Sequence, residues 1–445
     1  MRYPLAGLLY LACIVVPIVQ PWDGVGLYLL LAAVRPQNIT YGFDVIGGRY
    51  SLVALACIVV GWGLRIMVSK PRWGPFFVLL ILFSGQLMLS RVYALDAYAA
   101  REQFMMMFIP IVFAVIIVQV VRTPEQLYRV LWFLAIGLGF LGFWAFWKYH
   151  FTNLYEIESD GEITGPGGML IDRNDFSLGL NMGLPLIFYL GLAAKKRWAQ
   201  VVSILCMAPS AITVLETGSR GAFLGLGAIG CYILYKMHHK RWVIALAVVA
   251  VIGGLMVIPP EYYQRYGEIT SAAQEDSSAQ TRLISWAAAI SMASHHPLTG
   301  VGLGCFTVDY FTYAPDAEVA FVAHNSFFQI LGTAGIPGAA LWLAIVARMW
   351  FLLGGVEKRL KRARMKGSRL HYMALALRTS LLAYVICGFF LSMEDLEFFY
   401  YEVGLAAALD LAVRKEVALK KEQEEAEQET EWPLEDGVPA AGLAP

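Results

Sequence analysis

The chain is 445 residues long, 58% hydrophobic and only 15% charged, with a mean hydropathy of +0.59. A water-soluble core cannot use that much apolar sequence, but a bilayer absorbs it at about 20 residues per crossing, which excludes a soluble enzyme or binding module. Thirty-four basic and thirty-four acidic residues cancel, so net charge identifies no partner, no nucleic acid is expected, and the placement of the charges carries the information.

The expected fold is all-α and polytopic. The first apolar stretch, residues 5–34, is interrupted by Pro17, Pro21 and Gly24 and reads as one broken crossing. No small-residue cleavage site follows it, so it is expected to be retained. Further apolar runs lie near residues 50–64, 74–90, 103–121, 127–147, 175–194, 198–215, 219–235, 242–259, 326–350, 373–391 and 398–413. Together these predict about twelve transmembrane helices.

Lysine and arginine set the direction of the spans. Basic clusters at Arg65/Lys70/Arg72, Arg122/Arg129, Lys195/Lys196/Arg197, Lys236/Lys240/Arg241 and from Lys358 to Arg369 alternate with acidic or lightly charged loops. Loop 260–325 holds seven carboxylates against Arg265 and Arg282 and is expected to be a large periplasmic loop. Residues 1–413 then form a transmembrane domain, and 414–445 a cytoplasmic tail expected to be disordered beyond a frayed helix. Of the six cysteines, Cys13, Cys57, Cys206, Cys231 and Cys387 fall in apolar runs and Cys305 in a loop, so neither a disulfide nor a cysteine metal site is expected.

Ionisable residues are scarce in mid-span and gather at span ends, among them Asp172, Asp175, Glu216, Arg220, Glu394, Asp395 and Glu397. A transport path would place them near the midplane. Their position argues instead for a site where the membrane meets outer water. Asn174 and Asp175 either cap a helix or contribute to that site, and the Glu394/Asp395/Glu397 cluster either contributes or is solvated.

Within the long loop, SSAQTRLISWAAAISMASHHPL (277–298) places Leu283, Trp286, Ala287, Ile290 and Ser294 on one helical face. The pattern predicts a short helix lying on the interface with Trp286 at headgroup depth. GVGLG (300–304) follows. It superficially resembles a dinucleotide loop, but no strand precedes it and no helix opens from it, which excludes that role.

Three residues stand out as a candidate site. Ser219 is a natural N-cap, which puts Arg220 in the first turn of the next span, against the positive end of the helix dipole. Arg220 is read either as snorkelling to headgroup phosphates or as holding a ligand; the small residues Gly218, Gly221 and Gly225 would let a ligand come close. Arg282 reads as a solvated contact to anionic lipid or as a second guanidinium fork, and two forks suit a diphosphate. His324 precedes Asn325 and a Ser326-x-x-Gln329 capping box, so it lies near the positive pole of a helix that starts at Ser326. That position favours the neutral imidazole, which can accept a proton; His324 is read either as part of the helix cap or as a base. His295 and His296 are rival bases.

TGSRGAFLGL (217–226), TRLISWAAAISMASHHPLTGVGLGCF (281–306) and AHNSFFQILGTAGIPG (323–338), in that order around an outer loop, resemble the O-antigen ligase superfamily, the Wzy-C group of ligases, polymerases and bacterial protein O-oligosaccharyltransferases. DRNDFSLGLNMGLPL (172–186) is similar to the start of an upstream span in that group, and RPQNITYGFDVIGGRYSLVAL (35–55) is similar to the exosortase-associated branch. Where the family carries an acidic residue before the second glycine, this chain has Thr333 and Ala334.

The resemblance implies a GT-C-like, inverting glycosyltransferase that needs neither metal nor cofactor, in a bacterial inner membrane with its site facing the periplasm. It implies an undecaprenyl-diphosphate-linked glycan as donor, a lipid or protein hydroxyl as acceptor, and membrane lipids around it. Carried over by position, His324 would be the catalytic base and Arg220 and Arg282 would bind the diphosphate, with Ser219, Asn325, Asn174 and Asp175 supporting. A flippase or exporter that merely binds headgroups is the competing class.

Overall fold

The computed structural model of the chain describes residues 2–39, 50–66, 70–152, 163–237 and 272–431, and the regular elements among them are helical. The longer helices are α1 (Arg2–Val19), α2 (Pro21–Val34), α3 (Tyr50–Ile66), α4 (Phe77–Val92), α5 (Ala97–Val120), α6 (Pro124–Phe151), α7 (Arg173–Ala193), α8 (Arg197–Glu216), α9 (Arg220–Met237), α10 (Ala272–His295), α11 (Ser326–Arg362), α12 (Arg369–Gly388) and α13 (Glu397–Glu431).

Six of them, α5, α6, α7, α8, α11 and α12, are long and apolar enough to cross a membrane. The chain is therefore a polytopic membrane protein, but the expectation of about twelve spans in a GT-C-like bundle is not met. The reasons lie in length and charge. The apolar stretches of α1, α3 and α4, Pro4–Val19, Tyr50–Arg65 and Phe77–Val92, hold only 16 residues each, roughly 24 Å at 1.5 Å per residue against a hydrocarbon core of about 30 Å. Helix α2 is shorter still, at 14 residues. Arg220 and Lys236 occupy the ends of α9, and glycines dilute its middle. The run at 398–413 belongs to α13, where Glu397, Glu402 and Asp410 interrupt the apolar character. The run at 242–259 lies outside the described residues, as do positions 40–49 and 260–271 of the expected outer loops.

Among the described residues there is likewise no loop of short interfacial helices. Residues 277–294 belong to the 24-residue α10. Its Ser285, Ala288, Ala289 and Met292 are buried, and it packs along α11. Trp286 does not reach outward to headgroups. Its indole N–H donates to Ala323 O at 2.9 Å and its ring stacks on Phe328 at 5.0 Å.

Helix α7 is the centre of the bundle, buried continuously from Phe176 to Gly191 and packed on α6, α8, α9 and α12. Close approach depends on small residues, because apolar surface alone gives no preference for a neighbouring helix over lipid. Any side chain at Gly142 of α6 would run into Ser210 of α8. Helix α13 packs against α5, and α11 against α4, α12 and α13. Far from the candidate site, Glu357 accepts from Lys236 at 2.5 Å and Arg378 at 2.8 Å, and Asp410 joins Arg359 and Arg414, each at 2.8 Å.

Helix α11 is broken at Gly335, whose φ of 70° and ψ of −174° no helix allows. Breaking a helix frees carbonyls that lipid cannot satisfy, and here protein groups satisfy them. Gly332 O accepts from Val301 N at 2.9 Å, and Thr333 O from Gly302 N at 3.1 Å and Ser90 Oγ at 2.7 Å. Ala334 O accepts from Gln86 Nε2 at 2.9 Å. The GVGLG turn is thus the splint of a broken helix.

Candidate active site

His324 sits in the short approach to α11 with φ +45°, a left-handed conformation that costs a non-glycine residue energy and persists only where neighbours enforce it. Asn325 enforces it. Its Oδ1 accepts from Phe327 N at 2.9 Å and Phe328 N at 3.2 Å, capping α11, while its Nδ2 donates to Phe389 O at 3.0 Å. The cap is therefore Asn325, not the Ser326-x-x-Gln329 box read from sequence. Ser326 Oγ instead donates to Leu391 O at 2.8 Å and accepts from Met393 N at 3.0 Å. Gln329 Oε1 accepts from Ala323 N at 2.9 Å. These bonds stitch the loop between α12 and α13 to the residues around His324.

Burial holds the His324 imidazole below its ordinary 6.5, the Arg282 guanidinium lowers it further, and Asp172 pulls it back up. Arg282 is itself lowered by burial and then by the guanidinium of Arg220. Asp172, His324, Arg282 and Arg220 thus form one electrostatic chain, though they come from four separate segments. Phe390 links two of them. A Cβ on Gly221 would meet Phe390 Cβ at 3.0 Å, and Arg282 lies over the same ring at 5.9 Å from its centroid.

Three helix amino termini, those of α7, α9 and α11, belong to this chain of residues, each a positive pole. Two like-charged guanidinium groups within reach of each other repel, and an anion between them relieves that repulsion. A neutral imidazole beside them can accept a proton.

The remaining expected residues have local duties. Ser219 Oγ accepts from Ala222 N at 3.3 Å and so caps α9. Asp172 caps α7, accepting from Asn174 N at 2.7 Å. Asn174 is half-buried beside it, and Asp175 lies close enough to Asp172 and Asp395 to interact with both. Gly221 and Gly225 do not clear space for a ligand. Phe390 fills the first and Cys387 with Asn181 the second. His295 and His296 are exposed at the far end of α10, about 20 Å along the axis from Arg282; His295 Nδ1 is occupied by Ser291 O at 2.9 Å.

Beside this cluster lies a cavity of about 190 Å3 lined by Gln103, Gln329, Thr333, Ser392, Glu394 and Asp395, among others. Sequence reasoning left the two carboxylates open and missed Gln103 altogether. The available signal was an acidic pair between two aromatic runs, FFLSMEDLEFFYY, which is poor company for solvated carboxylates. Glu394 is in fact 4% exposed. Among the described residues no three His, Cys, Asp or Glu side chains are grouped to hold a metal ion.

Residues 204–343 match the model of a family described as O-Antigen ligase. The match spans less than half of the chain and supports the broad ligase superfamily. It supports an enzyme of that superfamily without selecting a branch, and Arg220, Arg282 and His324 all fall inside the matched residues. Residues 5–145 match a family of unknown function, DUF5935. No curated protein matches the chain. Asp172, Gln103, Phe390, Glu394 and Asp395 lie outside the ligase match, so the site draws on the rest of the chain as well.

Proposed function

We propose that the protein is a membrane glycosyltransferase that moves a glycan from an undecaprenyl diphosphate carrier to an acceptor hydroxyl, with inversion, on the outer face of a bacterial cytoplasmic membrane. The observation that carries this reading is the electrostatic chain Arg220–Arg282–His324–Asp172 inside and beside the ligase match. His324, held neutral by burial and by Arg282, takes the acceptor hydroxyl proton as oxygen attacks the anomeric carbon, general-base work worth ~10²–10⁴-fold. The bond from that carbon to the diphosphate breaks, and its electron pair leaves on the diphosphate oxygen. Arg220 and Arg282 stabilise the departing charge. The His324 proton then passes to water, leaving glycoside and carrier diphosphate as products. Asn325 and Ser219 position the machinery rather than perform it.

Purified protein in detergent, given lipid-linked glycan and candidate acceptors, should yield the glycosylated acceptor by mass spectrometry. His324→Ala should abolish the product while the protein still inserts and purifies; intact transfer would remove His324 as the base. Arg220→Lys should lower transfer at least tenfold, since an ammonium cannot copy a bidentate fork. A chelator should leave the rate unchanged, and strong inhibition would contradict a metal-free mechanism.

A further inference from the structure

We propose that the groove between α4, α5 and α13, at the end of the bundle opposite His324, binds an anionic phospholipid, its phosphate between Arg72 and Arg122 and one acyl chain along the groove. The site lies outside the transfer reaction and does not depend on it.

Unequal helix lengths make the groove. Residues 93–96 join α4 to α5 on the side of the candidate active site, where Asp96 N donates to Cys305 Sγ at 3.4 Å and Gln103 Nε2 to Asp395 Oδ2 at 2.8 Å. From there α5 runs for 24 residues, about 36 Å, and α4 for only 16, about 24 Å. At the far end α4 therefore stops short of α5, and residues 70–76 roof the notch. Arg72 N donates to Gln119 Oε1 at 3.0 Å, and Gln119 Nε2 donates back to Arg72 O. Beneath this roof Phe77, Leu80, Val115, Val118, Val403 and Ala407 line a trough. Phe77 and Val115 are only half-buried, so the trough opens toward surrounding lipid. A helix shorter than the hydrocarbon core leaves apolar depth that lipid fills.

The polar end selects the headgroup. Arg72 Nη1 donates to Val121 O at 3.4 Å and Arg122 Nη2 to Lys70 O at 3.1 Å, so each guanidinium reaches into the other's segment. Burial lowers the pKa of both, and Arg122 lowers that of Arg72 further. Among the described residues no carboxylate pairs with either, whereas Asp23 holds Arg129 at 2.9 Å and Asp410 holds Arg359 at 2.8 Å. Two desolvated like charges repel, and a phosphate between them replaces that repulsion with charge-assisted hydrogen bonds. Lys70 adds an exposed third cation. Trp73 is 65% exposed, its ring 4.4 Å from that of Phe77, as suits an indole at headgroup depth. A soluble anion would use the arginines and leave the trough empty. A zwitterionic lipid would fill the trough but bring a cation of its own. An anionic phospholipid satisfies both ends.

Native mass spectrometry of the full chain released from detergent tests the proposal, with phosphatidylglycerol, phosphatidylcholine and glycerol 3-phosphate as probes at equal concentration. Phosphatidylglycerol should be retained at least fivefold more than phosphatidylcholine, and glycerol 3-phosphate not at all. Arg72→Gln/Arg122→Gln should lower phosphatidylglycerol retention at least fivefold. Gly74→Leu should lower it as far with both arginines in place, because a Cβ there faces Ala407 and Val118 across the trough at 3.4 Å. Lys361→Gln/Lys366→Gln, at exposed positions around the end of α11, should leave retention unchanged. Equal retention of the two lipids, full retention in the arginine variant, or an equal loss in the lysine variant would overturn the site. Retention of glycerol 3-phosphate would make it a soluble-phosphate site and overturn the lipid. Where circular dichroism shows that a variant has lost helix, the preference of the wild type between the two lipids decides alone.

Discussion

A neutral imidazole next to two guanidinium groups fixes the sign of a pH dependence. In the proposed transfer the base form of His324 is the working form, and burial and Arg282 hold its pKa below 6.5. The kcat/KM for transfer should therefore be flat above that value and fall as pH drops through the lowered pKa. Asp172 pulls the pKa upward, so Asp172→Asn should move the acidic limb to lower pH. Asparagine also caps helices well, which keeps α7 in place. Asp395, pushed up to about 6 by burial, also titrates on the acidic side. Asp395→Asn should leave the limb where it is, and a shift would mean that Asp395 rather than His324 sets it. At this scale the sequence was informative where chemistry breaks a local rule, as with an arginine at a positive helix pole or a histidine at a span entrance. It was silent on Phe390 and Gln103. A phenylalanine in an apolar chain and a glutamine in a span look like packing until the residues they meet, hundreds of positions away, are known.

The break in α11 and its cap are properties of an element, and they answer to different substitutions. Asn325→Ala removes the cap, at about 1 kcal/mol, and also the bond to Phe389 O. Asn325→Asp keeps the cap and loses only that bond. Thermal unfolding in detergent should rank wild type above Asn325→Asp and Asn325→Asp above Asn325→Ala. Gly335→Ala should cost at least about 1 kcal/mol, because its φ is 70° and a Cβ would approach Pro297 O at 2.7 Å and Gly300 N at 2.9 Å. A Gly335→Ala protein as stable as wild type would mean that α11 can straighten. Helical apolar runs were legible from composition, and α5 to α8, α11 and α12 lie where the pattern put them. The count of spans was not. The reading equated each apolar run with a crossing, whereas α3 and α4 are too short, and α13 buries its carboxylates inside the bundle instead of leaving them at its ends.

Across the whole molecule, the first and last parts of the chain are joined by a polar tie. Arg35, at the end of α2, meets Glu397 at 3.1 Å. Tyr401 Oη donates to Glu397 Oε2 at 2.9 Å, and Tyr28 Oη lies 3.0 Å from Tyr401 Oη. Glu397 follows directly on the loop that holds Glu394 and Asp395. Glu397→Gln should lower stability by roughly 1–3 kcal/mol, read as an earlier thermal midpoint, and the loss should not add to that of Arg35→Gln in a double-mutant cycle. Full additivity would show the tie to be incidental. No local pattern predicts such a bond, since its partners are 362 positions apart.

Residues 389–395 close the pocket, yet they are translated after every other residue assigned to it. A ribosome makes His324, Arg220, Arg282 and Gln103 first, then supplies the segment that anchors Asn325 and Ser326 and props Arg282. Until that segment threads into place, a nascent chain holds the reactive groups without the geometry that aligns them. A nascent chain that stops before residue 389 therefore lacks the contacts that hold Asn325, Ser326 and Arg282 in place.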